Sequence, residues 1–393
     1  MTGLIDAAAA VALLGVGRAT LYAYVSRGQV RAEPDPADPR RRLYHRADIE
    51  ALRLRKARGR RPEAVAKTTL DYGLPVLESG VSLIAAGRLS YRGRDAIDLS
   101  RTLSLEAAAR LLWDCGAADP FEAPAPVLPS AWASLLPLLT GTPPIDRCRA
   151  LLALVPGGLP SWHRTPARLW PEAAELLRLM AAAAVGQAPS ALPVHRVLAE
   201  AWAQQADDAE RLRAALVLCA DHELNASTFT VRCIASTGAA LPAALQGGLA
   251  ALSGPRHGGM TERVEALFAA FDRDGEAGRF VAGRVARGEA IPGFGHPLYP
   301  EGDPRGAALL ALARPDARAQ SLVRAATDLT GLRPTLDVGL VVLARSLGLP
   351  AGAAAALFAI GRTVGWLAHA LEQAGQDRLI RPRARYVGPA PVL

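Results

Sequence analysis

Aromatic residues make up only 5% of the 393-residue chain, charged residues 21%, and methionine occurs three times. Half of the residues are hydrophobic, so alanine and leucine must supply the packing. β-branched and aromatic strand formers are scarce, which excludes a mainly β fold and favours helices. The four cysteines, Cys115, Cys148, Cys219 and Cys233, follow no paired or metal-ligand spacing. No disulfide framework or zinc module is expected, and the chain reads as cytoplasmic. A cleavable leader is not expected either: residues 7–16 are apolar, but Asp6 precedes them and no basic segment does. A second apolar stretch, residues 351–371, is long enough to cross a bilayer. Arg362 sits near its centre and Gly352, Gly361 and Gly365 interrupt it. It is expected to be a buried helix of a large domain, with no membrane involved, because a mid-membrane arginine is costly. The length gives room for two or three domains.

The net charge of +8 is concentrated at the N-terminus, where residues 1–66 hold thirteen Lys or Arg against seven Asp or Glu. Asp6 is placed to cap a first helix ending near Leu14 and Gly15. Residues 17–25 give a second helix, and a short Gly-containing turn between two small helices is the helix-turn-helix pattern. A proline-rich turn, residues 34–39, leads into Arg40, Arg41 and Arg42, expected in a β wing. A third helix is expected from Arg46 or Ala47. With Tyr24-Val25-Ser26-Arg27-Gly28, and with Tyr44 and Asp48 after the wing, this stretch resembles the winged helix of MerR-like regulators and excisionases. The resemblance implies duplex DNA as a partner. Arg18, Thr20, Tyr22 and Tyr24 would face the major groove, and Arg40, Arg41 and Arg42 would contact phosphates. The alternative is a solvated basic face that supports oligomerisation. The domain is expected to cover 1–66, with a linker over 58–69.

From about residue 70 the pattern is helical with Gly/Pro punctuation. Helices are expected over 105–113, 171–184, 192–205, 207–218, 261–273, 304–313, 316–330 and 351–374. Residues 117–160 are rich in proline, but Trp132 and several leucines interleave, so short helices and loops are expected there. His45 lies in the N-terminal module, while His163, His195 and His369 have no special neighbours and read as structural. Three other histidines stand in distinctive motifs: Asp221-His222-Glu223-Leu224-Asn225, Gly254-Pro255-Arg256-His257-Gly258-Gly259, and Pro292-Gly293-Phe294-Gly295-His296-Pro297. Gly/Pro turns let the backbone approach a ligand closely. His257 precedes an expected helix, whose positive end disfavours imidazolium. Arg362 has no acid within one helical turn, and a buried unpaired guanidinium is unfavourable unless a ligand supplies the charge.

These motifs fall in a fixed order. Val81-Ser82-Leu83-Ile84 and Gly87-Arg88-Leu89-Ser90-Tyr91-Arg92-Gly93 come first, then the three histidine motifs, then Leu336-Asp337-Val338-Gly339, residues 360–365 and residues 381–388. From about residue 74 onward the chain resembles citrate synthase. The resemblance implies an all-α fold with a large helical domain (70–260 and 366–393), a small one (261–365) and a site in the cleft between them. It implies a homodimer that condenses acetyl-CoA or propionyl-CoA with oxaloacetate, the thioester being a substrate, with no metal and no cofactor. Making a carbanion equivalent from an acyl-CoA needs a base at the α-carbon and a donor at the thioester oxygen. By resemblance Asp337 is the base, His257 the donor, and His296 polarises the ketone. His222, Arg305, Arg362 and Arg381 would bind oxaloacetate, Arg381 coming from the neighbouring subunit. Pro292, Gly293, Phe294 and Gly295 would form a CoA-binding loop. Pro297 and Pro300 stand where bacterial members often carry basic residues, and Arg256 replaces a usually apolar neighbour of His257. A second reading is a DNA-binding regulator whose enzyme-like domain senses oxaloacetate, citrate or an acyl-CoA. A third is an enzyme whose N-terminal module only aids assembly.

Overall fold

A computed structural model describes residues 4–389 apart from 37, 60–71, 73–75, 163, 203, 204, 206 and 377. The chain divides into two compact units, Met1–Glu78 and Ser79–Leu393. His163 and the expected boundary between residues 66 and 70 lie outside the described residues.

In the first unit, β1 (Leu4–Ile5) leads to α1 (Ala7–Leu14), and α2 (Arg18–Ser26) follows at 96°. Asp6 caps α1 by accepting the Ala9 N–H at 2.7 Å, and Gly15 ends it at φ 59°. β2 (Ala32–Asp35) and β3 (Asp38–His45) form an antiparallel hairpin, to which β1 adds on the far side of β3. α3 (Arg46–Gly59) closes the unit. Ala10, Leu14, Leu21, Val30, Tyr44, Ile49 and Leu52 make its small core. Asp48 locks the start of α3 to the hairpin by accepting the Arg31 backbone N–H at 2.9 Å and its guanidinium at 2.9 and 3.0 Å. Arg18, Thr20, Tyr22, Arg41 and Arg42 are exposed. Arg40 lies in β3, but its side chain is outside the described residues. Tyr24 departs from expectation: it packs, half-buried, against the unit's core.

The second unit opens with a three-stranded antiparallel sheet, β4 (Ser82–Ala85), β5 (Arg88–Tyr91) and β6 (Arg94–Asp95), turned at Gly87 and Gly93. An all-α fold is therefore too strict: each unit carries one small sheet, too short to mark the composition. The helices are α4 (Ala96–Thr102), α5 (Leu105–Leu112), α6 (Ser130–Leu135), α7 (Pro144–Leu152), α8 (Pro166–Val185), α9 (Val194–Trp202), α10 (Asp208–Cys219), α11 (Ala226–Ala235) and α12 (Leu241–Leu252). α13 (Gly259–Asp274), α14 (Ala277–Ala286), α15 (Pro304–Ala313), α16 (Ala317–Thr330), α17 (Leu336–Ser346) and α18 (Ala353–Ala374) complete the unit. The proline-rich stretch holds short helices, and Trp132 is buried there with its indole N–H on the Leu151 carbonyl at 2.7 Å. α8 starts five residues before the expected position, with Pro171 inside it. Among the described residues α18 is the one helix that alone is long and apolar enough to cross a membrane. Its apolar window is wholly buried in the fold, with α8, α10, α11 and α12 packed around it.

Candidate active site

One face of α18 builds the site's floor. Arg362, Gly365, Trp366, His369 and Glu372 recur at helical spacing and all grip the chain between residues 219 and 232. Arg362 Nε donates to the Cys219 carbonyl at 2.9 Å, and the Gly365 N–H to the Ala220 carbonyl at 2.9 Å. Trp366 Nε1 donates to the Ser227 hydroxyl at 3.0 Å. His369 Nε2 lies 3.4 Å from Asp221, and Glu372 accepts from Arg232 at 2.5 Å. Gly365 is required because a Cβ there would meet the Ala220 carbonyl and the Asp221 carboxylate. The gripped segment carries His222. Its neighbour Glu223 has φ 50°, a strained position for a non-glycine residue.

His257 stands just before α13. Its Nε2 lies 2.7 Å from the Ser227 hydroxyl, which also lies 2.8 Å from Asn225 Oδ1. Asn225 caps α11 by accepting the Ser227 and Thr228 N–H groups at 3.1 Å each. Burial, reinforced by Arg362, lowers the His257 pKa to about 4, so the ring is neutral at pH 7.

Asp337 is the second residue of α17 and is half-buried, with Thr335 as N-cap. Taken alone it reads as a cap, but its carboxylate instead accepts the Thr261 hydroxyl at 2.7 Å and the Thr335 hydroxyl at 3.2 Å. Burial raises its pKa, while the Thr261 hydroxyl and Arg305 oppose that shift. α15 and α17 can approach closely because Gly306 and Gly339 have no Cβ to fill the space between them.

The Pro292–Gly295 loop is pinned to the entry of α17. The Gly295 N–H donates to the Arg333 carbonyl and the Thr335 N–H to the Gly293 carbonyl, each at 2.8 Å. Pro292, Gly293 and Phe294 are buried and Gly295 is exposed. Gly293, at φ 81°, leaves no room for a side chain between Val264 and Val338. As a CoA-binding surface this loop can therefore offer Gly295, while the other three residues hold it in place.

His296 follows the loop, and its Nδ1 accepts the Leu298 N–H at 3.2 Å. His222, His296 and Tyr299 form a cluster of rings, with centroids 5.2–5.6 Å apart. Burial, then the Arg305 charge, lowers both histidines, His222 well below its ordinary value. Arg305 is buried, with Nε and Nη2 on the Asp303 carboxylate at 3.0 and 2.8 Å. Its fork is thus not open to a substrate carboxylate; one edge remains. Asp303 also accepts the Leu336 N–H at 3.1 Å, joining the starts of α15 and α17.

Arg362 is 1% exposed and has no ion pair among the described residues. Its contacts are the Cys219 carbonyl and the Phe358 ring, 4.8 Å from the guanidinium carbon to the centroid. Burial lowers its pKa, and Asp221 opposes. The structure thus brings together His222, His257, His296, Asp337, Arg305 and Arg362. It does not bring Arg381 to them, since Arg381 lies in the exposed irregular segment after α18. Sequence reasoning missed Ser227, Tyr299, Thr261, Trp366 and Asp303. Ser227 lies two residues beyond the Asp221–Asn225 motif and Tyr299 three residues beyond His296, but pairings across 30 and 77 positions left no local signal.

Residues 71–383 match the family model described as citrate synthase, C-terminal domain. The chain belongs to the citrate synthase family. It is 41% identical over 194 residues to putative citrate synthase 2 of Mycobacterium tuberculosis (strain H37Rv), covering 46% of this chain and 52% of that protein. With 2-methylcitrate synthase of Shewanella oneidensis it shares 35% over 186 residues, covering 45% and 50%. The chain thus spans about half the length of the curated relatives it matches. Citrate synthase from Thermotoga maritima superposes with a TM-score of 0.69 at 26% identity, over 81% of this chain and 95% of that one. The ternary complex of carboxymethyl coenzyme A and oxaloacetate with citrate synthase from Thermoplasma acidophilum has the same fold, with a TM-score of 0.68 at 23% identity over 83% and 97%.

Proposed function

We propose that the second unit condenses an acyl-CoA, acetyl-CoA or propionyl-CoA, with oxaloacetate. The observation that carries this reading is Arg362, a buried cation that makes no ion pair among the described residues and has only the more distant Asp221 as counter-charge, beside histidines kept neutral by burial. Such a charge is costly unless a ligand neutralises it, and a dicarboxylate does so. Arg362, the open edge of Arg305 and His222 hold the two carboxylates, and Arg381 of a second subunit completes the site in a homodimer. The site lies where residues 261–365 meet the rest of the unit, the small and large domains of the family plan.

His296 spends Nδ1 on the Leu298 N–H, so the neutral ring carries its proton on Nε2 and donates it to the ketone oxygen. At His257, Asn225 Oδ1 already accepts two backbone N–H groups and Trp366 supplies a donor to Ser227. In the proposed mechanism the serine proton, which lies within reach of both Asn225 Oδ1 at 2.8 Å and His257 Nε2 at 2.7 Å, goes to His257 Nε2, and the ring donates from Nδ1 to the thioester oxygen as the enol forms. Asp337, a stronger base than an exposed carboxylate because burial raises its pKa, takes the α-proton. The enol carbon attacks the polarised ketone, and hydrolysis of the resulting thioester releases CoA. No metal or cofactor is needed, and the setting proposed is cytoplasmic.

The test is thiol release from acetyl-CoA and from propionyl-CoA, with and without oxaloacetate. Release that requires oxaloacetate supports the reading; none with either thioester refutes it. For the first unit we propose duplex DNA binding through Arg18, Thr20, Tyr22, Arg41 and Arg42. Support comes from their shared exposure and from the positive excess of residues 1–66.

A further inference from the structure

The turn from His296 to Tyr299 is closed by the Tyr299 N–H on the His296 carbonyl at 2.9 Å, and it serves two histidines at once. Its Leu298 N–H occupies His296 Nδ1. Its other end places the Tyr299 hydroxyl 3.0 Å from Nε2 of His222, on a distant segment. Tyr299 is 2% exposed, and a buried phenol needs a hydrogen-bond partner. Its ring packs against both His222 and His296, with the Arg305 guanidinium 5.5 Å from its centroid.

We propose that Tyr299 is a positioning residue: its O–H donates to Nε2 of His222 and fixes that ring as the Nδ1–H tautomer, so that His222 presents a donor to a substrate carboxylate.

Two facts favour this direction of donation. Burial pushes the Tyr299 phenol up to about 12, so it keeps its proton, and His222 is neutral, with one bare nitrogen to receive it. His222 Nδ1 makes no hydrogen bond among the described residues. A bare nitrogen there would repel a carboxylate, whereas an N–H binds it. The Leu298 N–H and the Tyr299 hydroxyl thus prepare two rings, His296 and His222, as donors from a single turn, and that turn follows the loop pinned to the entry of α17, which carries Asp337.

The affinity part of the test rests on the oxaloacetate reading above; the tautomer part does not. In the full chain with 15N-labelled histidine, long-range proton–nitrogen spectra report which ring nitrogen is protonated, and the His222 signals are those lost in H222Q. The wild type is expected to carry its proton on Nδ1 and Y299F to exchange between tautomers. A His222 protonated on Nε2 in the wild type overturns the proposal without any variant. Oxaloacetate affinity measured by calorimetry should fall about ten-fold in Y299F. In the H222Q background the same change should cost no more than about two-fold, because Tyr299 acts through that ring. Equal losses in both backgrounds overturn it. A wild type that binds no oxaloacetate refutes the condensing-enzyme reading instead, and the spectrum still decides the role of Tyr299.

Discussion

Trp366 donates its indole N–H to the Ser227 hydroxyl at 3.0 Å, and that hydroxyl lies 2.7 Å from His257 Nε2. The ring that meets the thioester in the proposed mechanism is therefore tied through one serine to the central helix. S227A should lower kcat by about ten-fold or more, because His257 loses the contact that sets its tautomer. Oxaloacetate affinity, which involves other side chains, should stay within about two-fold. Steady-state kinetics with a parallel calorimetric titration separates the two; an unchanged kcat removes Ser227 from the account.

Arg362 gives a prediction of opposite sign for stability and binding. In R362M the unliganded protein should gain about 1–3 kcal/mol, because a buried unpaired charge is replaced by an apolar chain. The same variant should lose the rise in melting temperature that oxaloacetate gives the wild type. Denaturant unfolding and a thermal melt with and without ligand read both. An R362M that is less stable, yet still stabilised by oxaloacetate, would mean that the guanidinium serves the fold.

Acid should act through the neutral histidines. His257 titrates at about 4 in the fold against about 6.5 in an unfolded chain, so the unfolded state takes up the proton first. Stability is therefore lost as pH falls from 6.5 towards 4, by up to about 1.4 kcal/mol per pH unit for this group. Urea midpoints at several pH values should show a shallower acid slope in H257N than in the wild type. Identical slopes would mean that His257 is not held neutral by the fold.

Much of this was legible in the sequence, and the losses have physical reasons. Asp6, Gly15 and the proline-rich stretch carry local turn and cap chemistry, so the first helix and the short helices around Trp132 could be placed from pattern alone. The histidine motifs and Asp337 were legible because they stand in order along the chain. Arg362 stood out as a charge in the most apolar helix. The Asp303 clamp on Arg305 was not foreseen, because a neighbouring acid at a helix start reads as a cap. Ser227, Trp366 and Tyr299 depend on contacts between distant segments. Tyr24 was assigned to the exposed face of its helix, but period alone does not say where a small core ends.

The first unit makes its own prediction. Full-length protein should bind duplex DNA with a log–log salt slope of about −0.9 per phosphate neutralised. Replacing both exposed wing residues, R41A/R42A, should flatten that slope without affecting thiol release. A flat salt dependence in the wild type at low ionic strength would make the unit an assembly element.

The central claim, that the half-buried Asp337 carboxylate removes the α-proton of an acyl-CoA, is tested most directly by comparing D337N with the wild type. Asn is nearly isosteric and keeps hydrogen-bonding partners for Thr261 and Thr335, but it cannot take a proton. The account predicts that thiol release falls by about a thousand-fold or more while oxaloacetate affinity stays within about two-fold. Wild-type turnover in a folded D337N protein would contradict it.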